Sequence, residues 1–291
     1  MSTPARGPDQ EVPPDGSAGR AELAEAAEPA EPHTADEMHD HADRPAWWTQ
    51  VALIVAGLWI YDYIANLSPL RRAAGLANAT AILRLEKRLH LNPELALNEV
   101  LIAHQRVGRV LADYYNLAHF VITLSILAWI YWRHPSHFRM LRNSLIVMNA
   151  IGLVVYWLYP VAPPRMLPAL GYVDIGVITH SFGSATQNAT IAAHANEFAA
   201  MPSLHVAWAL WCVFAVWTIW RSGLARGLVI VHTLLTGTVI MATANHYFLD
   251  VVAGAATGAV GIIAATAWAA RRDRRLHYAP GRCQTLGPLR E

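Results

Sequence analysis

The chain has 291 residues, of which 54% are hydrophobic and only 15% charged, against about 25% charged in ordinary soluble domains. Its formal net charge of +1 conceals an asymmetry: residues 1–45 hold eleven Asp/Glu against Arg6, Arg20 and Arg44, while the rest holds nineteen Lys/Arg against ten Asp/Glu. That positive charge is sparse and lies between long apolar runs, which argues against a nucleic-acid binder, and two cysteines, Cys212 and Cys283, exclude a disulfide scaffold.

Residues 1–45 are rich in Pro, Ala, Glu, Asp and Gly and contain no apolar run. Too little surface can be buried there to offset the entropy of ordering, so a disordered acidic tail is expected. The positively charged start and apolar stretch of a signal peptide are both missing, and the first apolar segment is expected to direct membrane insertion itself. His33, His39 and His41 with Asp36, Glu37 and Asp40 have metal-ligand chemistry. They read as solvated polarity instead, because ligands in a flexible segment must be ordered by the metal itself.

Six segments approach the ~20 apolar residues that carry a helix across a bilayer: Trp47 to Asn66, Tyr115 to Trp132, Leu141 to Tyr159, Ser203 to Trp220, Leu224 to Ala244, and Leu249 to Ala270. Aromatic residues mark their ends, as at Trp47, Trp48, Trp132, Trp157, Trp220 and Trp268, where rings favour the headgroup level. The predicted fold is an all-α, polytopic six-helix bundle spanning residues 46–270, with a basic tail at 271–291. The last two segments are separated only by Asn245 to Phe248, which requires a tight turn between antiparallel neighbours. Gly254, Gly258 and Gly261 form a small-residue stripe suited to close helix contact, and His232 is expected to hydrogen-bond across the bundle.

Arg133, Arg139, Arg142, Arg221 and Arg226 flank alternate connections, and Arg271, Arg272, Arg274 and Arg275 follow the sixth segment. The positive-inside rule makes these sides cytoplasmic, so a multi-pass protein of the cell membrane is expected with both termini in the cytoplasm and the loop Pro160 to Pro202 outside. Residues 67–114 resist this scheme, since they carry seven cations on the outer side. Ile82, Leu85 and Leu89 recur at helical spacing, and Asn92-Pro93-Glu94 has the form of a cap and first turn. A pair of interfacial amphipathic helices is therefore expected there.

Chemistry-bearing residues gather at the outer ends. Met201-Pro202-Ser203-Leu204-His205 opens the fourth segment, with Pro202 expected in the first helical turn and Ser203 and the first N–H groups facing the interface, an arrangement that attracts phosphate. His205 reads there either as part of a reactive site or as a histidine bonded to a carbonyl. His246 and Asp250 are spaced i, i+4, so the carboxylate can accept from one ring nitrogen and leave the other free. An acid opening an apolar helix is costly unless paired; a purely structural His/Asp pair is the alternative. Tyr159-Pro160-Val161-Ala162-Pro163-Pro164-Arg165 ends the third segment and carries the only Arg of the outer loop. Its guanidinium suits two phosphate oxygens or, alternatively, snorkels to a headgroup. His119 with Asn116 either joins the same pocket or is a core histidine. His180, His194 and Glu197 read as loop polarity.

Ala162-Pro163-Pro164-Arg165, Ala200-Met201-Pro202-Ser203-Leu204-His205 and Ala244-Asn245-His246-Tyr247-Phe248-Leu249-Asp250 resemble the three signature motifs of the type-2 phosphatidic acid phosphatase superfamily. These are six-helix lipid phosphatases and phosphotransferases. The likeness narrows toward the inositolphosphotransferase branch, which includes fungal inositol phosphorylceramide synthase and actinobacterial membrane proteins, and extends through Leu85-Glu86, Glu94-Leu95-Ala96-Leu97-Asn98 and His119. The resemblance implies that His246 attacks phosphorus to give a phosphohistidine, that Asp250 orients it, and that His205 protonates the leaving oxygen and later deprotonates the acceptor. Arg165 would bind phosphate. The resemblance implies no metal or other cofactor, a phospholipid or polyprenyl phosphate donor, and a polyol or water acceptor.

Three positions depart from the wider pattern: Leu158 and Ile240 stand where Lys and Arg are expected, and Met166 follows Arg165 in place of Pro. With two phosphate-binding cations absent, Ser203, Asn245 and Tyr159 are candidates for the missing contacts. A transporter or scaffold on the same fold is the rival from another class. Coupling residues of transporters sit near the midplane, where His232 is the main ionisable group here.

Overall fold

A computed structural model describes residues 45–66, 71–184 and 197–277. The acidic tail to residue 44, its histidine cluster and His194 lie outside the described residues, as does the basic tail beyond 277.

Among the described residues the chain forms nine α-helices and no strand. They are α1 Trp47–Asn66, α2 Arg72–Leu89, α3 Glu94–Ala103, α4 Gln105–Arg133, α5 Pro135–Leu158, α6 Ile175–Thr179, α7 Leu204–Ile219, α8 Gly223–Ala242 and α9 Phe248–His277. Four of them, α4, α5, α8 and residues Phe248–Arg272 of α9, are long and apolar enough to cross a membrane. The fourth expected span is the shorter apolar helix Leu204–Ile219, and the first coincides with the 20 residues of α1, apolar over Trp47–Gly57. At 1.5 Å per residue the 16 residues of α7 reach about 24 Å, less than the ~30 Å hydrocarbon core.

The bundle core lies where α4, α5 and α7 meet, joined by Val229 of α8 and with Ile262 of α9 packed against it. Ile130, Leu141, Met148, Ala207, Trp211, Cys212 and Ala215 are buried together there. Trp211 fixes the register of α7 on α5, because its indole N–H donates to the Leu141 carbonyl and the Ser144 hydroxyl, each at 2.9 Å. The glycine stripe on α9 sits at the close contacts. A Cβ at Gly254 would lie 2.3 Å from the Ser203 carbonyl oxygen, one at Gly258 3.3 Å from Ala207, and one at Gly261 2.9 Å from Met148. His232 does reach across the bundle, its Nδ1 lying 2.6 Å from the Tyr114 hydroxyl.

Residues 67–114 depart from the expected pattern. The second helix of the pair, α3, ends at Ala103, and α4 starts at Gln105, ten residues before the predicted Tyr115. The buried face of α2 consists of Gly75, Ala79, Ile82, Leu83 and Glu86, while Leu85 and Leu89 are 47% and 52% exposed. Of the apolar triplet, Ile82 lies on the packed face and Leu85 and Leu89 lie off it. Close approach to the Phe198 ring selects Gly75, and Glu86 is turned inward by a backbone donor on α9.

Candidate active site

Three short segments converge at one end of the bundle, stitched together mainly by their backbones. The Val161 N–H donates to the Phe198 carbonyl and the Ala200 N–H to the Val161 carbonyl, at 2.9 and 3.2 Å, which joins the exit of α5 to the approach to α7. The Arg165 N–H donates to the Ala244 carbonyl at 2.9 Å, joining the same exit to the α8–α9 turn. The Ser203 N–H donates to the Asp250 carbonyl at 3.1 Å. Ala244 has φ +56°, a left-handed conformation that turns the chain out of α8 within a five-residue connection, 243–247, shifted toward α8 from the expected Asn245 to Phe248.

His246 sits in this frame almost fully buried. Its Nδ1 is 2.7 Å from the Ala200 carbonyl oxygen and 3.4 Å from Asp250 Oδ2. A carbonyl only accepts, so Nδ1 carries the proton and Nε2 keeps a free lone pair. This corrects the expected hydrogen bond: the short acceptor is the Ala200 carbonyl, and Asp250 contributes negative charge at ion-pair distance. Asp250 is fully buried, and its Oδ2 accepts instead from the Tyr247 N–H at 2.8 Å. With its own carboxylate turned back on that N–H, the acid shapes the turn that presents His246.

His205, in the first turn of α7, brings its ring centroid within 5.6 Å of that of His246. Tyr115 stacks on His205 at 4.6 Å, and His119 meets it edge-on at 4.2 Å. His119 thus joins the cluster, with its Nδ1 3.1 Å from the Tyr115 carbonyl oxygen. A small cleft beside these rings is lined by Tyr114, Tyr115, His119, His205, Thr236 and Ile240. Ile240, at one of the positions that lack the expected cation, faces this space.

Ser203 caps α7 from outside the helix, so Pro202 precedes the first turn and does not form part of it. The Met201–Pro202 peptide is cis. Ser203 is 0% exposed, pressed against Gly254, and its N–H is engaged by Asp250; it does not face the interface. Its hydroxyl and Asp250 Oδ1 are buried without a hydrogen-bond partner, which ordinarily costs about 1–3 kcal/mol per group. The N–H groups of Leu204, His205 and Val206 have no intrahelical acceptor, by helix geometry.

Arg165 lies in a short 3₁₀ turn, Pro164–Met166. One terminal guanidinium nitrogen donates to Asn245 Oδ1, and its Nε is 3.3 Å from Asp174 Oδ2. Asn245 is held in turn by Thr243, whose hydroxyl accepts from Asn245 Nδ2 at 2.8 Å. The cation therefore reaches His246 through the residue before it. Tyr159 stands exposed at the end of α5, apart from the ring cluster.

Asp174 and Tyr115 were not singled out from the sequence. A signal for Asp174 existed: it is the only acid between Arg165 and Glu197. Its Oδ1 accepts from the Val177 N–H and caps α6, so one carboxylate both starts a helix and holds the arginine. Tyr115 gave no comparable signal, since an aromatic residue near a helix end reads as part of the interfacial belt.

A family model described as the PAP2 superfamily matches residues 80–264, which include every segment of this site. The chain belongs to the PAP2 superfamily. No curated protein and no solved structure matches it. Membership points to a lipid phosphatase-type function, a phosphate-bearing lipid substrate and association with a membrane.

Proposed function

We propose that the protein is an integral membrane phosphotransferase that moves a phosphoryl-containing headgroup from a lipid donor to a hydroxyl acceptor by way of phosphohistidine. The observation that carries this reading is the meeting of His246 and His205 beside an arginine tied to Asn245. His246 Nε2 attacks phosphorus while the bond to the leaving oxygen breaks, and His205 gives that oxygen a proton. In the second half His205 takes the proton of the acceptor hydroxyl, whose oxygen displaces His246 from phosphorus. Asp250, beside Nδ1, favours the positive charge that the ring acquires. Arg165 and Asn245 meet charge developing on the non-bridging oxygens, in a site where preorganised donors supply most of the stabilisation. No metal is needed for these steps.

The charge of the site favours a phosphodiester donor. Asp174 partly neutralises Arg165, and Leu158 and Ile240 add no cation. A diester carries one negative charge, whereas a monoester at neutral pH carries nearly two. A diester donor accords with the inositolphosphotransferase branch and with a polyol acceptor. In this reading α1 and α7 complete six spans, α2 and α3 lie toward the interface, both termini are cytoplasmic, and the site opens on the outer face of the cell membrane.

The test is to incubate purified protein with a phospholipid labelled in its headgroup phosphate, with and without polyols, and to isolate acid-labile phosphoprotein. Label on the wild type but not on His246→Ala, chased by polyol into a new phosphodiester, is the expected result. Release of the label to water alone, as headgroup phosphate from a diester or free phosphate from a monoester and whatever polyol is present, would replace the transferase with a water-using lipid phosphatase. Undiminished turnover in His246→Ala would remove the mechanism.

A further inference from the structure

The inner face of the α2–α3 hairpin is polar where a supporting helix is ordinarily apolar. Glu86, Glu94 and Asn98 are all fully buried, and each grips a different part of the site. Glu86 Oε1 accepts the Leu249 N–H at 2.6 Å, in the first turn of α9 and one residue before Asp250. Glu94 Oε1 accepts the Tyr172 hydroxyl at 3.0 Å, in the loop between Arg165 and Asp174. Asn98 accepts the Val173 N–H at 2.9 Å and donates to the Val173 and Ala242 carbonyls at 3.0 Å each. One hairpin therefore fixes the end of α8, the start of α9 and the loop that bears the arginine clamp.

The groups that bear electrostatically on Glu86 are Glu94 and Asp250, with the Tyr172 and Tyr247 hydroxyls close by. Among the described residues neither glutamate has an ion-pair partner. Both Oε2 atoms are buried, and the two carboxyls lie close enough to each other to interact as a hydrogen-bonding pair. Several carboxylates cannot all be ionised in such a place. Burial pushes Glu86 up to about 8 against the pull of the Leu249 N–H, and the negative charges of Glu94 and Asp250 push the same way. Burial raises Glu94 as well.

We infer that Glu86 is a positioning residue, whose carboxyl holds the first turn of α9, and with it Asp250 and the His246 turn, in register with the Ala200 carbonyl. The inference rests on the reading that His246 is the nucleophile. First-turn N–H groups of a helix lack intrahelical acceptors; here Glu86 supplies one from another helix. In its protonated form it does so without adding charge beside Asp250. Ionised, it sets a further negative charge against Asp250 and Glu94 and loosens the hairpin from α9.

The experiment compares Glu86→Gln, Glu86→Asp and Glu86→Ala with the wild type, by amide hydrogen exchange over residues 245–251 and by the pH profile of turnover. Gln presents an acceptor at the same reach, so it is expected to keep exchange slow, retain turnover within about threefold at pH 7, and lack the alkaline decline near pH 8 that is expected of the wild type. Asp keeps the acid but falls short of Leu249. It and Ala are expected to speed exchange at least tenfold and lower kcat at least tenfold with KM changed less than threefold. Equal losses in Gln and Ala, or unchanged exchange in Asp and Ala, overturn the proposal. If Ala fails to accumulate, the Gln and Asp pair decides alone. The exchange measurement needs no turnover, so it separates failure of this inference from failure of His246 as nucleophile, which His246→Ala reports.

Discussion

The N–H of Ser203 donates to the carbonyl of Asp250 at 3.1 Å, and Gly254, one helical turn further along α9, leaves no room for a side chain against the Ser203 carbonyl. The start of α7 and the start of α9 are thus in backbone contact. His205 and His246, which follow and precede these two points, inherit their spacing from that contact and not from each other.

Gly254→Ala should therefore be among the most damaging small substitutions in the chain. Its Cβ would stand 2.3 Å from a backbone oxygen, so the helices must part, at a cost of about 1–3 kcal/mol for overpacking. Thermal unfolding in detergent should show the loss, together with reduced turnover. Gly223→Ala, with nothing within 4 Å of its Cβ, serves as the control and should leave both unchanged.

Asp174→Asn should change which phosphate ester is preferred. Asn retains an oxygen to cap α6, so the fold should be kept, while Arg165 regains its full charge. Activity on a lipid phosphomonoester relative to a phosphodiester is expected to rise about tenfold, equivalent to ~1.4 kcal/mol. An unchanged ratio of kcat/KM values would mean that Asp174 does not tune the cation.

Arg165→Lys should not rescue function. The guanidinium addresses Asn245 and Asp174 with separate nitrogens, and an ammonium cannot reproduce that fork. A fall in kcat/KM of at least tenfold, ~1.4 kcal/mol, is expected against the wild type.

Stability should depend on pH through Glu86. Its pKa is raised from 4.5 to about 8 in the folded protein, so the native state holds a proton that the unfolded chain has released. By linkage this contribution is fully present below about pH 4.5 and is lost as pH rises toward 8. Thermal midpoints in detergent should decline over that window for the wild type and decline less for Glu86→Gln. An equal slope in both would reject the assignment.

Much of this arrangement was legible in the sequence because the surrounding chain is so apolar. Residues such as Arg165, His205, His246 and Asp250 stood out against membrane-like runs, the short link before the last segment permitted only a turn, and the glycine stripe marked a close approach. Other relations left no trace in residue types. The acceptor for His246 is the backbone carbonyl of Ala200, which any residue would supply. Hydrophobic periodicity located α2 but gave no sign that its acid Glu86 is buried against α9 while Leu85 and Leu89 stay exposed. The helix starting at Gln105 was missed for a related reason: the cations Arg106 and Arg109 conceal its early turns from any count of apolar length.

The backbone bonds between Val161 and Ala200, Arg165 and Ala244, and Ser203 and Asp250 have a practical consequence. None of them depends on the side chains that would do the chemistry, so replacing His246 should silence the protein while Arg165 and Asn245 stay in place to hold a phosphate. Silenced proteins of that kind are natural baits. Recovered from their own membranes, they would retain the lipid that the working protein consumes.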